Sequence, residues 1–335
     1  MRSEERREGI GARGPVARPR GRPGGGRPAT AARSGRGGDS RVTEPRLGVE
    51  VALGAGAVLG EGPVWDDERG RLLWIDILDG LVHTFDPSDG SDTSVGVGRP
   101  VGAISLRTDG GLVLAMADGF GLSGPGGADV ELVAPVGAED PSIRFNDGKC
   151  DPAGRFWAGT MAYDETPGVA ALYRFDPDRR VQEMVTGVSI SNGLAWSADG
   201  RTMFFSDTPT RRVDAFTFDA ETGAIADRRP FLDLGDVPGF PDGMAIDAED
   251  CLWVAFWGGS AVRRYRPDGT PDLVVDLPAT NVTSCAFGGA DRRDLFITSA
   301  RDGLAPEQLS TEPHAGAVFQ CRTDVPGASV SRFGE

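Results

Sequence analysis

An all-β, six-bladed propeller is the fold the sequence predicts, and three observations predict it. A strand–turn–strand phrase recurs about six times, marked by a glycine at Gly62, Gly102, Gly148, Gly193 and Gly243, with Ser284 marking the sixth. The steps between marks are 40, 46, 45, 50 and 41 residues, the spacing of four-stranded propeller blades. The chain holds 49 Gly and 24 Pro among 335 residues, which suits many short strands joined by tight turns. No long stretch carries a 3.6-residue apolar period, so few helices are expected. One blade cannot cover its own apolar faces, so the blades must stack around an axis.

Taken in order, residues 1–46 are rich in Arg, Gly and Pro and nearly lack large apolar side chains. Such a segment cannot bury enough surface to offset its ordering entropy, so a disordered extension is expected, with 47–335 as the propeller domain. Arg6-Arg7 is not followed by the apolar stretch of a twin-arginine signal. The first blade begins at Glu61 with "EGPVWDDERGRLLWIDILDGLVHTFDPSDG", whose apolar runs flank turn residues. The second opens "VGAISLRTDGGLVLAMADG", the third "DGKCDPAGRFWAGTMA" followed by "AALYRFDPD". The fourth is "ISNGLAWSADGRTMFFSD" followed by "RRVDAFTFDAETG". The fifth is "DGMAIDAEDCLWVAFWGGSAVRRYRPDG", and the sixth "SCAFGGADRRDLFITSA" followed by "GAVFQCRTD". Trp65, Trp74, Trp157, Trp196 and Trp253 recur at similar places, as packing between blades requires.

Charge is unevenly placed. Met1–Pro45 carries 11 Arg against 5 acids, while the whole chain has a formal charge of -15. The acidic body argues against a nucleic-acid partner, and no apolar run approaches a membrane span. Cys150, Cys251, Cys285 and Cys321 form no CxxC pair, so a reduced, cytoplasmic protein is expected.

In a propeller the innermost strands line a central channel, and equivalent positions converge. The residue before each mark is such a position: Glu61, Val101, Asp147, Asn192, Asp242 and Thr283. Three acids and an amide in a channel mouth are costly unless neutralised. A divalent cation would do so, and the oxygen-only set favours a hard ion. Taken singly, each Asp-Gly or Asn-Gly pair also reads as an ordinary turn. The cluster "RFNDGK" flanks the third position with Arg144, Asn146 and Lys149, which suits a polyhydroxylated ligand or simply charges at a turn. His83 and His314 are the only histidines. Both read as structural, which excludes a histidine-rich zinc cage and leaves no His for a Ser-His-Asp triad.

The motifs "GEGPVW", "RFNDGKCDPAGRFWAGTMA", "SNGLAWSADG", "PDGMAIDAEDCLWVAFW" and "TSCAFGG…TSARDGL" resemble the regucalcin/gluconolactonase family, the senescence-marker-protein type of sugar lactonase, from Gly60 to about Phe319. The resemblance implies a six-bladed propeller with one catalytic divalent cation, Ca²⁺, Zn²⁺, Mn²⁺ or Mg²⁺. It implies Glu61, Asn192 and Asp242 as ligands, with Asp242 also the general acid/base. It implies Arg144 and Asn146 as lactone-binding residues, with Asp164 as a further contact after "GTMA". The expected activity is metal-dependent hydrolysis of sugar lactones to aldonic acids by a monomer or weak oligomer. A non-catalytic calcium-binding regulatory propeller and an organophosphate or aryl-ester hydrolase are the alternatives.

Overall fold

The structure, a computed structural model, describes residues 44–334. The expected extension lies outside the described residues up to position 43. Six sheets follow, each built of consecutive antiparallel strands, with an N-terminal strand added to the fifth and to the sixth. Blade 1 runs through Gly60–Asp66, Arg71–Asp76, Leu81–Asp86 and Ser91–Gly96. The inner strands of blades 2 to 6 are Val101–Leu106, Ile143–Cys150, Ser191–Trp196, Phe240–Ile246 and Asn281–Gly288. Among the described residues the single α-helix, Pro306–Thr311, is six residues long, as the lack of helical periodicity predicts.

Two N-terminal strands belong to the far end of the chain. Glu50–Leu53 pairs with Val318–Arg322 and supplies the fourth strand of blade 6, closing the ring by hydrogen bonds between the chain's two ends. Arg46–Leu47 pairs in parallel with blade 5 through Val274 and Val275. The sixth repeat shows only three strands in sequence, because its fourth is drawn from upstream of the first mark.

Apolar packing lies mostly between blades. Phe120, Phe145, Phe156 and Phe175 fill the space between blades 2 and 3. Trp157, Trp196, Phe216 and Phe218 fill that between blades 3 and 4. Trp65, Trp74 and Phe296 join blade 6 to blade 1. Each fully buried aromatic contributes roughly 2–3 kcal/mol, so the inter-blade layers hold the ring closed.

The marking glycines sit where neighbouring inner strands touch. A Cβ on Gly193 would lie 2.7 Å from the Asp242 carbonyl oxygen, and its φ of +32° is strained for other residues. A Cβ on Gly243 would run into the Ser284 side chain.

Beneath the ring, the C-terminal segment crosses the other end of the channel. The Ala248 amide donates to Pro326 O, the Ala328 amide to Ile246 O, and the Phe333 amide to Leu106 O. Phe333 stacks on Phe175 at 5.3 Å. This strap and the lower halves of all six inner strands line a chamber of about 590 Å³.

Candidate functional site

Every inner strand breaks register at the same point. The irregularities fall at Glu61/Val64, Val101/Ala103, Phe145/Gly148, Asn192/Leu194, Pro241/Met244 and Val282/Ser284. A bulge re-aims the side chain beside it. Six bulges at one level therefore build a ring of six side chains in the channel, as the repeat phase predicts. Val101 and Thr283 fill two places, with the Thr283 hydroxyl donating to Gly60 O at 2.6 Å.

Glu61, Asp147, Asn192 and Asp242 fill the other four, and all are buried. Glu61 and Asp147 accept the amide N–H of the following glycine, each at 2.7 Å. The Gly193 amide also points at Asp147, and the Gly243 amide at Asp242. Burial, together with the negative charge of Asp147, pushes Glu61 up to about 8. Burial, then Glu61 and Asp147, hold Asp242 well above the usual carboxylate range. Burial raises Asp147 as well, against the opposing charge of Lys149. The three carboxylates destabilise one another's charged forms.

Asn192 is tied to its neighbours on both sides. Arg144 Nη1 donates to Asn146 Oδ1 at 2.7 Å, and Asn146 Nδ2 donates to Asn192 Oδ1 at 2.9 Å. Asn192 Nδ2 donates to Thr208 Oγ1 at 2.9 Å, and that hydroxyl donates to Pro241 O at 2.8 Å. The chain of bonds runs from blade 3 through blade 4 to the residue beside Asp242. Arg144 is buried and its Nε has no partner. Burial lowers its pKa, while Tyr163, Glu61, Asp302 and Asp242 oppose that shift. Its guanidinium carbon lies 5.7 Å from the centre of the Tyr163 ring, and Tyr163 is 47% exposed.

The expected site residues thus divide. Glu61, Asn192 and Asp242 share the ring, and Arg144 and Asn146 join it by hydrogen bonds. Asp164 is on the surface, where its carboxylate accepts from the Thr166 amide at 3.1 Å and the Thr166 hydroxyl at 2.8 Å. Tyr163, rather than Asp164, lies against Arg144. Two participants carry no repeat signal. Thr208 sits in a short 3₁₀ turn, and Lys149 reaches across the channel to donate to Met244 O. Asp147 was legible by phase alone. His83 is in the third strand of blade 1, with Nδ1 at 2.7 Å from Asp92 and its ring on Trp74, and His314 is exposed.

The donor set fits a hard divalent cation. Among the described residues no three Asp, Glu, His or Cys side chains are arranged to hold a metal by themselves. The ring offers the carboxylates of Glu61, Asp147 and Asp242 and the amide oxygen of Asn192. Its buried, mutually repelling acids are a charge excess that a cation would relieve.

The SMP-30/gluconolactonase/LRE-like region matches residues 59–301. YvrE of Bacillus subtilis (strain 168), provisionally named a sugar lactone lactonase, is 37% identical over 272 residues, covering 81% of this chain and 93% of that protein. Regucalcin of Gallus gallus is 41% identical over 268 residues, covering 78% and 90%. The crystal structure of a calcium-binding protein, regucalcin, from Agrobacterium tumefaciens superposes with a TM-score of 0.84 at 29% identity, covering 88% of this chain and all of that one. With six blades, a ring of buried acids and an amide at its axis and these matches, this chain belongs to the SMP-30/gluconolactonase/LRE-like family.

Proposed function

We propose that this protein hydrolyses sugar lactones to aldonic acids at the upper face of the acid ring. One divalent cation would be held there by Glu61, Asn192 and Asp242. The observation that carries the reading is the buried Arg144, bonded through Asn146 to Asn192 while its Nε stays unpartnered. A cation sink has no use for a buried guanidinium with a spare donor beside its ligands. A hydrolase that must orient an oxygen-rich substrate does.

Bound in the ring, the cation would supply Lewis acidity toward the lactone carbonyl and lower the pKa of a water. The residues do the rest. Arg144 donates to substrate oxygens, and Asn146 keeps Arg144 and Asn192 in register. The Asn146 amide oxygen has a second lone pair for a sugar hydroxyl. Asp242 takes the proton of the attacking water as its oxygen bonds the carbonyl carbon. It returns that proton to the ring oxygen as the ring C–O bond breaks. Burial beside two other acids raises the proton affinity of Asp242 in the metal-free ring, and a cation held beside it would favour the carboxylate form that accepts the water proton. Asp164 is proposed as an outer substrate contact. Reaching the lactone would require it to leave Thr166.

The four cysteines form no disulfide, and no helix among the described residues is long and apolar enough to cross a membrane. A reducing, cytoplasmic setting suits them. The test is acid release from glucono-1,5-lactone in a pH-stat, with Ca²⁺, Mn²⁺, Zn²⁺ or Mg²⁺ added to chelator-stripped protein. Turnover well above the spontaneous rate with at least one ion is expected. No acceleration with any of them, across a panel of pentono- and hexonolactones, overturns the proposal.

A further inference from the structure

Lys149 is the only lysine in the 335-residue chain; every other basic side chain, the two histidines apart, is arginine. It stands two residues after Asp147 on the inner strand of blade 3, below the ring. Protein surrounds it, and its remaining accessible surface lines the chamber under the strap. Its ammonium donates to Met244 O on blade 5, two residues after Asp242, and so spans the channel floor past blade 4. Asp147 and Glu61 both feel its charge. Arg144, three residues before Asp147 on the same strand, acts on Glu61 and Asp242. The acids are thus flanked along one strand by two cations, and three carboxyl groups meet two basic side chains.

We propose that Lys149 is a built-in counter-charge of the ring, which holds the acids together without a metal and weakens their grip on a divalent cation. The proposal rests on the metal-site reading above. A fixed ammonium near a bound dication repels it, and at the separations of a channel this is large where the effective dielectric constant is low. Lys149 is the cation whose charge opposes the effect of burial on Asp147, so Asp147 is its natural partner and not a third acidic ligand.

The test measures Ca²⁺ and Mn²⁺ affinity of the full chain by competition with a chelating indicator. Lys149→Met is expected to bind roughly ten-fold tighter than wild type, and Lys149→Arg about as wild type. Asp147→Asn is expected to bind about ten-fold weaker, with Lys149→Met/Asp147→Asn returning near wild type. A merely structural lysine predicts the opposite sign for Lys149→Met, because a loosened ring binds worse. Folded Lys149→Met with unchanged or weaker affinity overturns the proposal alone. Wild-type protein that binds neither ion overturns the metal reading and this proposal with it. Should Lys149→Met not fold, wild-type protein grown on ¹³Cε-lysine gives a single side-chain lysine resonance. Its shift on saturation with Ca²⁺ is expected, and an unmoved resonance overturns the proposal.

Discussion

Asn192 carries a neutral amide between two acids at the same level of the channel, and that choice fixes the charge of the ligand set. Asn192→Asp keeps an oxygen there but adds a third negative ligand and loses the Nδ2 donor to Thr208. Asn192→Ala and Asp242→Ala should both stay folded and lose cation affinity and lactonase turnover by at least a hundred-fold, read by chelator competition and pH-stat. Full turnover in either variant contradicts the assignment. Glu61 contributes one part of the pH dependence of the metal-free protein. Its folded pKa of about 8 lies above the ordinary 4.5, so the folded state keeps a proton that the unfolded chain releases. The Glu61 contribution to metal-free stability should therefore be full below about pH 4.5, fall as pH rises toward 8 and level off above, by a few kcal/mol in all. Calcium should accordingly raise the melting temperature more at pH 8 than at pH 5, where protons compete for the ligands. Equal shifts at both pH values would contradict this. At this scale the ring was legible, because the repeat fixes the phase of each inner strand. The contact after "GTMA" was not. Whether Tyr163 or Asp164 faces Arg144 depends on how a surface turn closes on Thr166, which no periodicity reports.

Blades 3 and 5 share a turn device below the ring. Asp151 accepts from the Ala153 and Arg155 amides, Arg155 Nε and Trp157 Nε1, and Asp247 accepts from the Glu249 and Cys251 amides, Trp253 Nε1 and Arg264 Nε. Each carboxylate thus closes its turn and orients the tryptophan that packs the blade interface. Asp247→Ala should cost about 3–5 kcal/mol, since it leaves the buried Arg264 without one partner, measured by denaturant unfolding. At the closing seam, removal of residues 1–43 should leave turnover unchanged. Removal through Leu53 strips blade 6 of its outer strand and should lower the melting temperature by more than 5 °C. A truncation through Leu53 that melts like the full chain would show that the seam contributes nothing. The six repeats were readable because each contains its own alternation and turn. The seam was not, since Glu50–Leu53 pairs with residues some 270 positions away.

Across the whole molecule, the C-terminal strap lies over the chamber below the ring. Gly327 packs against the Phe287 side chain with no room for a Cβ, and Phe333 is stacked on Phe175. Phe333→Ala should cost about 3 kcal/mol and speed labelling of Cys285, which lines the chamber, by a small mercurial. Unchanged labelling with Cys251 as internal control would show that the strap does not seal it. The sequence by itself determined the number of blades, the level of the ring and the oxygen-bearing side chains on it, because a period near 45 residues puts like positions on one axis. Only the tertiary structure decided what stands above and below that ring. The Arg144–Asn146–Asn192 chain, the Thr208 bridge, the lone lysine under the acids and the strap all join residues from different blades. Their proximity follows from closing the ring, and a repeat pattern records what each blade does alone.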